Sequence, residues 1–166
     1  LEFRTLARQL PEYMNVEPTV DAKEVAADLK VGKVTVIDSD KDLQTIEIPK
    51  SKTLVLSTKV RADRDRKPET LILGFVDQTI QLNIEKLKPA LIANFLASVF
   101  MVHPKVIGYD LKNSLKVLIS LGITPPTVEH DVLIGAFLIN SLRRDQSLSE
   151  LAAADLNVHL DESVAT

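Results

Sequence analysis

The chain has 166 residues, of which 45% are hydrophobic and 26% charged, and its formal net charge is −3. This length and composition suit one globular domain with its own core. The slight acidity argues against a domain that grips nucleic acid alone, because such domains usually carry a basic surplus. Since the chain contains no cysteine, disulfides, thiolate metal sites and a cysteine nucleophile are excluded.

The sequence also predicts where the protein resides. No apolar run reaches the roughly 18 residues that cross a membrane, and the N-terminus lacks the apolar centre of a signal peptide. We therefore expect a cytoplasmic protein with no membrane contact.

The sequence of residues 1–20 is typical of a linker between domains. Residues 1–10 form a short amphipathic stretch that Pro11 ends, too short to be stable by itself. We assign residues 1–20 to a linker from an upstream module and residues 21–166 to a single domain. A modest helix is predicted at 22–30.

Four extended segments follow. Residues 33–37 alternate as a strand, and residues 53–58, 70–76 and 79–84 are rich in β-formers. The last three predict an antiparallel meander. The charged stretch 61–68 between them has mixed signs that nearly cancel, so we interpret it as a solvated loop rather than a phosphate site.

An apolar helix and a mixed α/β unit come next. Pro89 suits the first turn of a helix, where its missing N–H costs nothing. Residues 105–140 then alternate between strand and helix, which is typical of a parallel sheet. The last helix of this unit, near 132–139, is apolar almost all round, so it is expected to be buried on most sides.

Four residues are placed to end or begin these helices. Asp110 and Asp131 precede the two helices of the mixed unit and are predicted to be N-caps. Gly122 stands where a left-handed residue ends a helix. Ser147, three residues before Glu150, predicts a capping box and a short final helix.

The order of elements and several motifs resemble a known family. Residues 107–112 (IGYDLK), 118–123 (LISLGI) and 130–140 (HDVLIGAFLIN) resemble the 3′–5′ exonuclease domain of bacterial DNA polymerase I, a family A polymerase. Residues 1–6 (LEFRTL) resemble the joint that precedes this domain in such polymerases. The resemblance implies an α/β, ribonuclease-H-like fold: a mixed five-stranded sheet, three strands antiparallel and two parallel, with helices packed on it.

The resemblance also implies where the chemistry should lie. Exonucleases of the family hold two divalent cations with four carboxylates, which suit hard ions such as Mg²⁺. The first two acids form a "D-x-E" pair that matches Ser57 and Lys59 here, and the third matches Ser114. No clear "Y-x-x-x-D" pattern supplies the fourth. A hydroxyl is a weak neutral ligand and a lysine repels cations, so the resemblance implies no catalytic residue, bound metal or cofactor in this chain.

Other acids are poor substitutes. Asp110 is the one nearby carboxylate and a weak metal candidate, although we interpret it, like Asp131, as a helix cap. Asp63 and Asp65 lie among arginines.

The resemblance therefore implies a fragment of a family A DNA polymerase whose exonuclease domain is inactive. It would serve as a spacer and docking module beside the polymerase domain of the same polypeptide, which uses Mg²⁺ for DNA replication and repair. We expect a monomer that contacts DNA weakly or only through the parent protein. Two alternatives stay open: an active exonuclease with remodelled ligands, and a free-standing nucleic-acid-binding module.

Overall fold

A computed structural model describes residues 32–61, 67–142 and 146–159. The predicted linker at 1–20, the domain start at residue 21 and the helix at 22–30 lie outside these residues. So do Asp63 and Asp65 of the charged loop.

The described chain alternates strands and helices. In chain order they are β1 (Lys33–Ile37), α1 (Asp40–Thr45), β2 (Val55–Val60), β3 (Pro68–Gly74), β4 (Gln78–Asn83), α2 (Pro89–Val102), β5 (Lys105–Gly108), α3 (Leu111–Ser120), β6 (Thr127–Asp131), α4 (Val132–Ile139) and α5 (Leu148–Leu156).

All the described strands belong to one mixed sheet in the order β1-β4-β3-β2-β5-β6. Strands β2, β3 and β4 form the predicted antiparallel meander, and β5 and β6 extend it in parallel from β2. The ribonuclease-H-like α/β fold is thus confirmed, with the strand count corrected from five to six. The additional strand is β1, which pairs in parallel with β4 and forms one edge of the sheet.

The core lies on one face of this sheet. Alternate side chains of the meander point into it, because successive residues of a strand face opposite sides. The fully buried members are Leu54, Leu56, Leu71, Leu73, Ile80 and Leu82, which cluster with Ile92, Leu96 and Val99 of α2. Each such side chain contributes about 1.5–3 kcal/mol of hydrophobic stabilisation.

A buried carboxylate ties the ends of β5 and β6 together. Asp131 is 8% exposed, and its carboxylate accepts backbone N–H groups from Asp110 at 3.2 Å, Leu111 at 2.8 Å and Leu133 at 3.0 Å. It therefore caps α4, its own helix, and also satisfies the first amide of α3. The positive ends of both helix dipoles stabilise its charge.

The capping role predicted for the side chain of Asp110 is wrong. Asp110 stands at the N-cap position of α3 but makes no side-chain cap. Its backbone is left-handed, with φ 48° and ψ 52°, and its carboxylate accepts a hydrogen bond from Asn113 Nδ2 at 2.6 Å. The left-handed backbone of Asp110 differs from the extended conformation usual at an N-cap, and its carboxylate bonds to Asn113 in place of a backbone N–H of the first turn. Gly122 does adopt the expected left-handed conformation, with φ 73°.

The expectation that the apolar helix α4 is buried is also wrong within the described chain. None of its residues is buried, and Leu138 and Ile139 are 77% and 88% exposed. The reason is its position beyond the edge strand β6, where no other described element covers its outer side. The helix does approach His130, because a Cβ on Gly135 would lie 2.9 Å from the His130 ring.

The final helix is anchored to the end of β5. Ser147 and Glu150 form a complete capping box at the start of α5. Just before it, the Gln146 carbonyl accepts a hydrogen bond from the Tyr109 hydroxyl at 2.8 Å. Burial, followed by the negative charges of Asp110, Glu150 and Asp131, raises the pKa of Tyr109.

Across the ranges that the structure describes, no helix has the length and apolar character of a membrane span.

Replacing Asp131 with alanine is expected to lower the free energy of unfolding by about 3 kcal/mol, because buried N–H groups then lose their acceptor. Urea unfolding followed by circular dichroism measures the loss. Glu129→Ala is the matched control on the same strand, since it removes only an exposed ion pair with Lys105 and is expected to cost about 0.5 kcal/mol or less. Equal losses in the two variants would contradict the role given to Asp131.

The second prediction concerns pH. The raised pKa means that the folded state holds the Tyr109 proton more tightly than the unfolded chain does. Its contribution to stability is therefore complete below the unfolded pKa of about 10 and is lost as the pH rises through the folded value.

The Tyr13→Phe variant isolates the Tyr109 phenol for an absorbance titration. We expect it to titrate above about pH 10 in the folded protein and to return to about 10 in urea. A folded-state pKa at or below the unfolded one would contradict the burial argument. The control adds Tyr109→Phe to the Tyr13→Phe variant, because the chain then has no tyrosine left to titrate.

Candidate functional site

A cleft of about 500 Å³ lies where β2 and β5 meet the starts of α3 and α5. This is the carboxyl end of parallel strands, where α/β proteins usually place their ligand sites. The lining is mostly neutral and polar: Ser57, Thr58, Val60, Tyr109, Asp110, Asn113, Ser114, Lys116, Val117, Ser147, Leu148 and Ser149.

The structure brings together two of the three positions matched to family acids. Ser57 and Ser114 both line the cleft, although they lie 57 residues apart in the chain. Lys59 does not line it and is exposed on β2. The positive charge expected at the metal position is therefore not brought into the cleft by Lys59.

The direct partner of Ser114 is a residue that the sequence interpretation missed. The hydroxyls of Thr58 and Ser114 lie 3.2 Å apart, and Ser114 is only 2% exposed. Strand alternation is the signal that could have found Thr58, because it shares a strand face with the buried Leu56.

Strand β2 lacks a carboxylate pair whichever of its faces is matched to the family's acids, because its side chains alternate between the two faces. On one face of β2, the pair two residues apart is Ser57 and Lys59. On the other face, it is Thr58 and Val60. Neither pair supplies a carboxylate.

Among the described residues that line the cleft, Asp110 is the one carboxylate. One of its oxygens is held by Asn113, and a lysine, Lys116, lines the same cleft. Asp131 lies nearby in the fold, but both of its oxygens accept backbone N–H groups.

These residues do not fit a pair of divalent cations. Mg²⁺ takes anionic oxygen ligands in near-octahedral geometry, and a two-metal site needs several of them. Within residues 32–61, 67–142 and 146–159, no group of three or more Asp, Glu or His side chains is arranged to hold a metal ion. Hydroxyl groups at the centre of the cleft offer dipoles in place of charge.

A larger cavity of about 840 Å³ lies at the opposite edge of the sheet, beside β1. Lysines 33, 50 and 52 line it together with Glu47 and Asp77. It shares no residue with the cleft and contains none of the positions matched to family acids.

Comparison with known proteins identifies the fold of this arrangement. No protein-family model matches the sequence, and none of the curated proteins does. Solved structures do match. RNase D of Trypanosoma brucei, in complex with RNA U12, superposes with a TM-score of 0.65 at 13% identity, over 87% of this chain and 54% of that one.

Two further structures extend the match. The EXO domain of Nibbler from Aedes aegypti gives a TM-score of 0.63 at 14% identity, over 82% of this chain and 74% of that one. The POL domain of Pol1 from M. smegmatis, in complex with DNA primer-template and dNTP, gives 0.55 at 19% identity, over 69% of this chain and 21% of that one. The chain spans about half the length of the T. brucei RNase D. At these identities the likeness establishes the fold: the chain has the ribonuclease-H-like fold of RNase D-type 3′–5′ exonuclease domains.

Proposed function

We propose that the chain is a catalytically inactive 3′–5′ exonuclease-like domain of a family A DNA polymerase, in which it serves as a spacer and docking module. The observation that carries this proposal is the neutral cleft. Ser57, Thr58 and Ser114 line it where exonuclease chemistry of the two-metal kind requires carboxylates.

Electrostatics explains why such a cleft should not work. Two unit charges 4 Å apart interact by about 4 kcal/mol at an effective dielectric constant of 20. Replacing carboxylates by hydroxyls therefore removes several kcal/mol of cation affinity at each position. Lys116, which also lines the cleft, opposes cation binding further.

The polymerase parentage rests on two lines of support. The sequence motifs resemble the exonuclease domain of bacterial DNA polymerase I, including LEFRTL at residues 1–6. The structural neighbours include Pol1 from M. smegmatis. In the parent protein, Mg²⁺ and deoxynucleoside triphosphates serve the polymerase domain, against which this chain packs. The chain itself uses no cofactor, is a monomer and reaches DNA only through the parent.

One observation favours a second candidate, an active exonuclease with remodelled ligands. Asp110 lines the cleft, so its carboxylate is open to a cation that draws further ligands from elsewhere. This reading predicts nuclease activity that depends on Asp110.

We expect the full-length native protein to extend a primer on a template with deoxynucleoside triphosphates and Mg²⁺, but to release no mononucleotide from a mismatched 3′ end. The isolated chain is expected to release none from single-stranded DNA with Mg²⁺ or Mn²⁺. Gel analysis of end-labelled DNA measures both reactions.

The alternatives give different results in the same assay. Excision that disappears in the Asp110→Asn variant would establish the remodelled exonuclease and overturn inactivity. A native protein without primer extension, whose isolated chain binds single-stranded DNA in a salt-dependent way, would instead be a free-standing nucleic-acid-binding module.

A further inference from the structure

Helix α4 presents an apolar surface that no other element within residues 32–61, 67–142 and 146–159 covers. The helix carries no charged or polar side chain. Ile134 and Phe137, three residues apart and so on one side of the helix, are 59% and 53% exposed. Leu142, three residues beyond the end of the helix, is 90% exposed. Soluble proteins rarely expose a contiguous apolar patch unless it binds something.

A groove between α3 and α4 adjoins this surface at Ile134, the one residue of α4 in its described lining. It encloses about 480 Å³. Its apolar floor consists of Leu111, Leu115 and Ile119 from α3, Val128 from β6 and Ile134 from α4. A groove between two helices accepts the side-chain ridge of a third helix. At 1.5 Å per residue, the ten residues of α3 provide a bed about 15 Å long, which suits roughly three helical turns.

One rim of the groove is positively charged. Lys112 and Lys116 lie one turn apart on α3 and line the groove. Neither forms an ion pair with any residue in the described part of the chain. Asp131 is the one acid in the described lining, and its carboxylate already accepts backbone N–H groups. Charge complementarity therefore selects an occupant with acidic side chains along one edge.

We propose that the α3–α4 groove is the docking site for an amphipathic helix of a partner module, whose apolar stripe fills the groove and whose Asp or Glu residues face Lys112 and Lys116. The inference rests on the docking role proposed above and names the surface that performs it. Such a helix places apolar anchors at i, i+3, i+4 and i+7.

A pair of synthetic helical peptides tests this chemistry. Both have about 14 residues, roughly four turns, with leucines at the anchor spacing. One carries glutamates along one edge of the stripe, and the other carries lysines there. Fluorescence anisotropy with the 166-residue chain is expected to give about tenfold tighter binding of the glutamate peptide at low salt, and high salt should reduce the difference.

Three variants locate the site. Ile134→Asp should weaken the glutamate peptide at least about tenfold, because a charge in the apolar floor is left unpaired. The double variant K112E/K116E should reverse the preference so that the lysine peptide binds more tightly. Met101→Asp is the matched control, since Met101 is an exposed apolar residue on α2 and lies outside the groove; binding should not change.

The proposal is overturned if neither peptide binds, if the two bind equally, or if the preference survives the double variant. It is also overturned if sedimentation shows a dimer that Ile134→Asp dissociates, because a second copy then covers the groove. The exonuclease assay is independent of these results, so failure of the docking inference is distinguishable from failure of the inactive-domain proposal.

Discussion

The carboxylate of Asp131 fixes the starts of α3 and α4 relative to each other. It lies at the junction of β6 and α4 and accepts N–H groups from the starts of both α3 and α4. Because these bonds fix where α3 begins, they place Ser114 over Thr58 in the cleft and set the spacing of the α3–α4 groove. Removing a buried carboxylate that accepts several hydrogen bonds lowers the stability of the fold, because several N–H donors are then left unsatisfied. The carboxylate of Asp131 therefore has a structural role.

The described lining of the cleft has little net charge, since its charged residues are one acid, Asp110, and one lysine, Lys116. Clustered carboxylates repel one another and need cations to offset that repulsion. Thr58 and Ser114 form a neutral pair whose hydroxyls share one hydrogen bond at 3.2 Å. This neutrality leaves the described lining of the cleft without the set of carboxylates that two-metal chemistry needs.

The sequence predicted the parts of the fold that depend on local pattern. The meander, the Pro89 helix and the left-handed Gly122 all follow from side-chain periodicity or backbone preference. Three features depend on partners distant in the chain and were not predictable in this way. The pairing of β1 with β4 spans 45 residues between Lys33 and Gln78, and the contact of Thr58 with Ser114 spans 56. The exposure of α4 depends on what lies beyond it, which its own apolar composition cannot reveal.

Titration of the chain with Mn²⁺ by calorimetry tests most directly the claim that the cleft no longer holds divalent cations. We expect no binding heat for the native sequence. We expect measurable binding for the double variant T58D/S114D, because two carboxylates would then face each other where two hydroxyls lie now. Micromolar binding of Mn²⁺ by the native chain, abolished by Asp110→Asn, would contradict the account and establish a remodelled metal site.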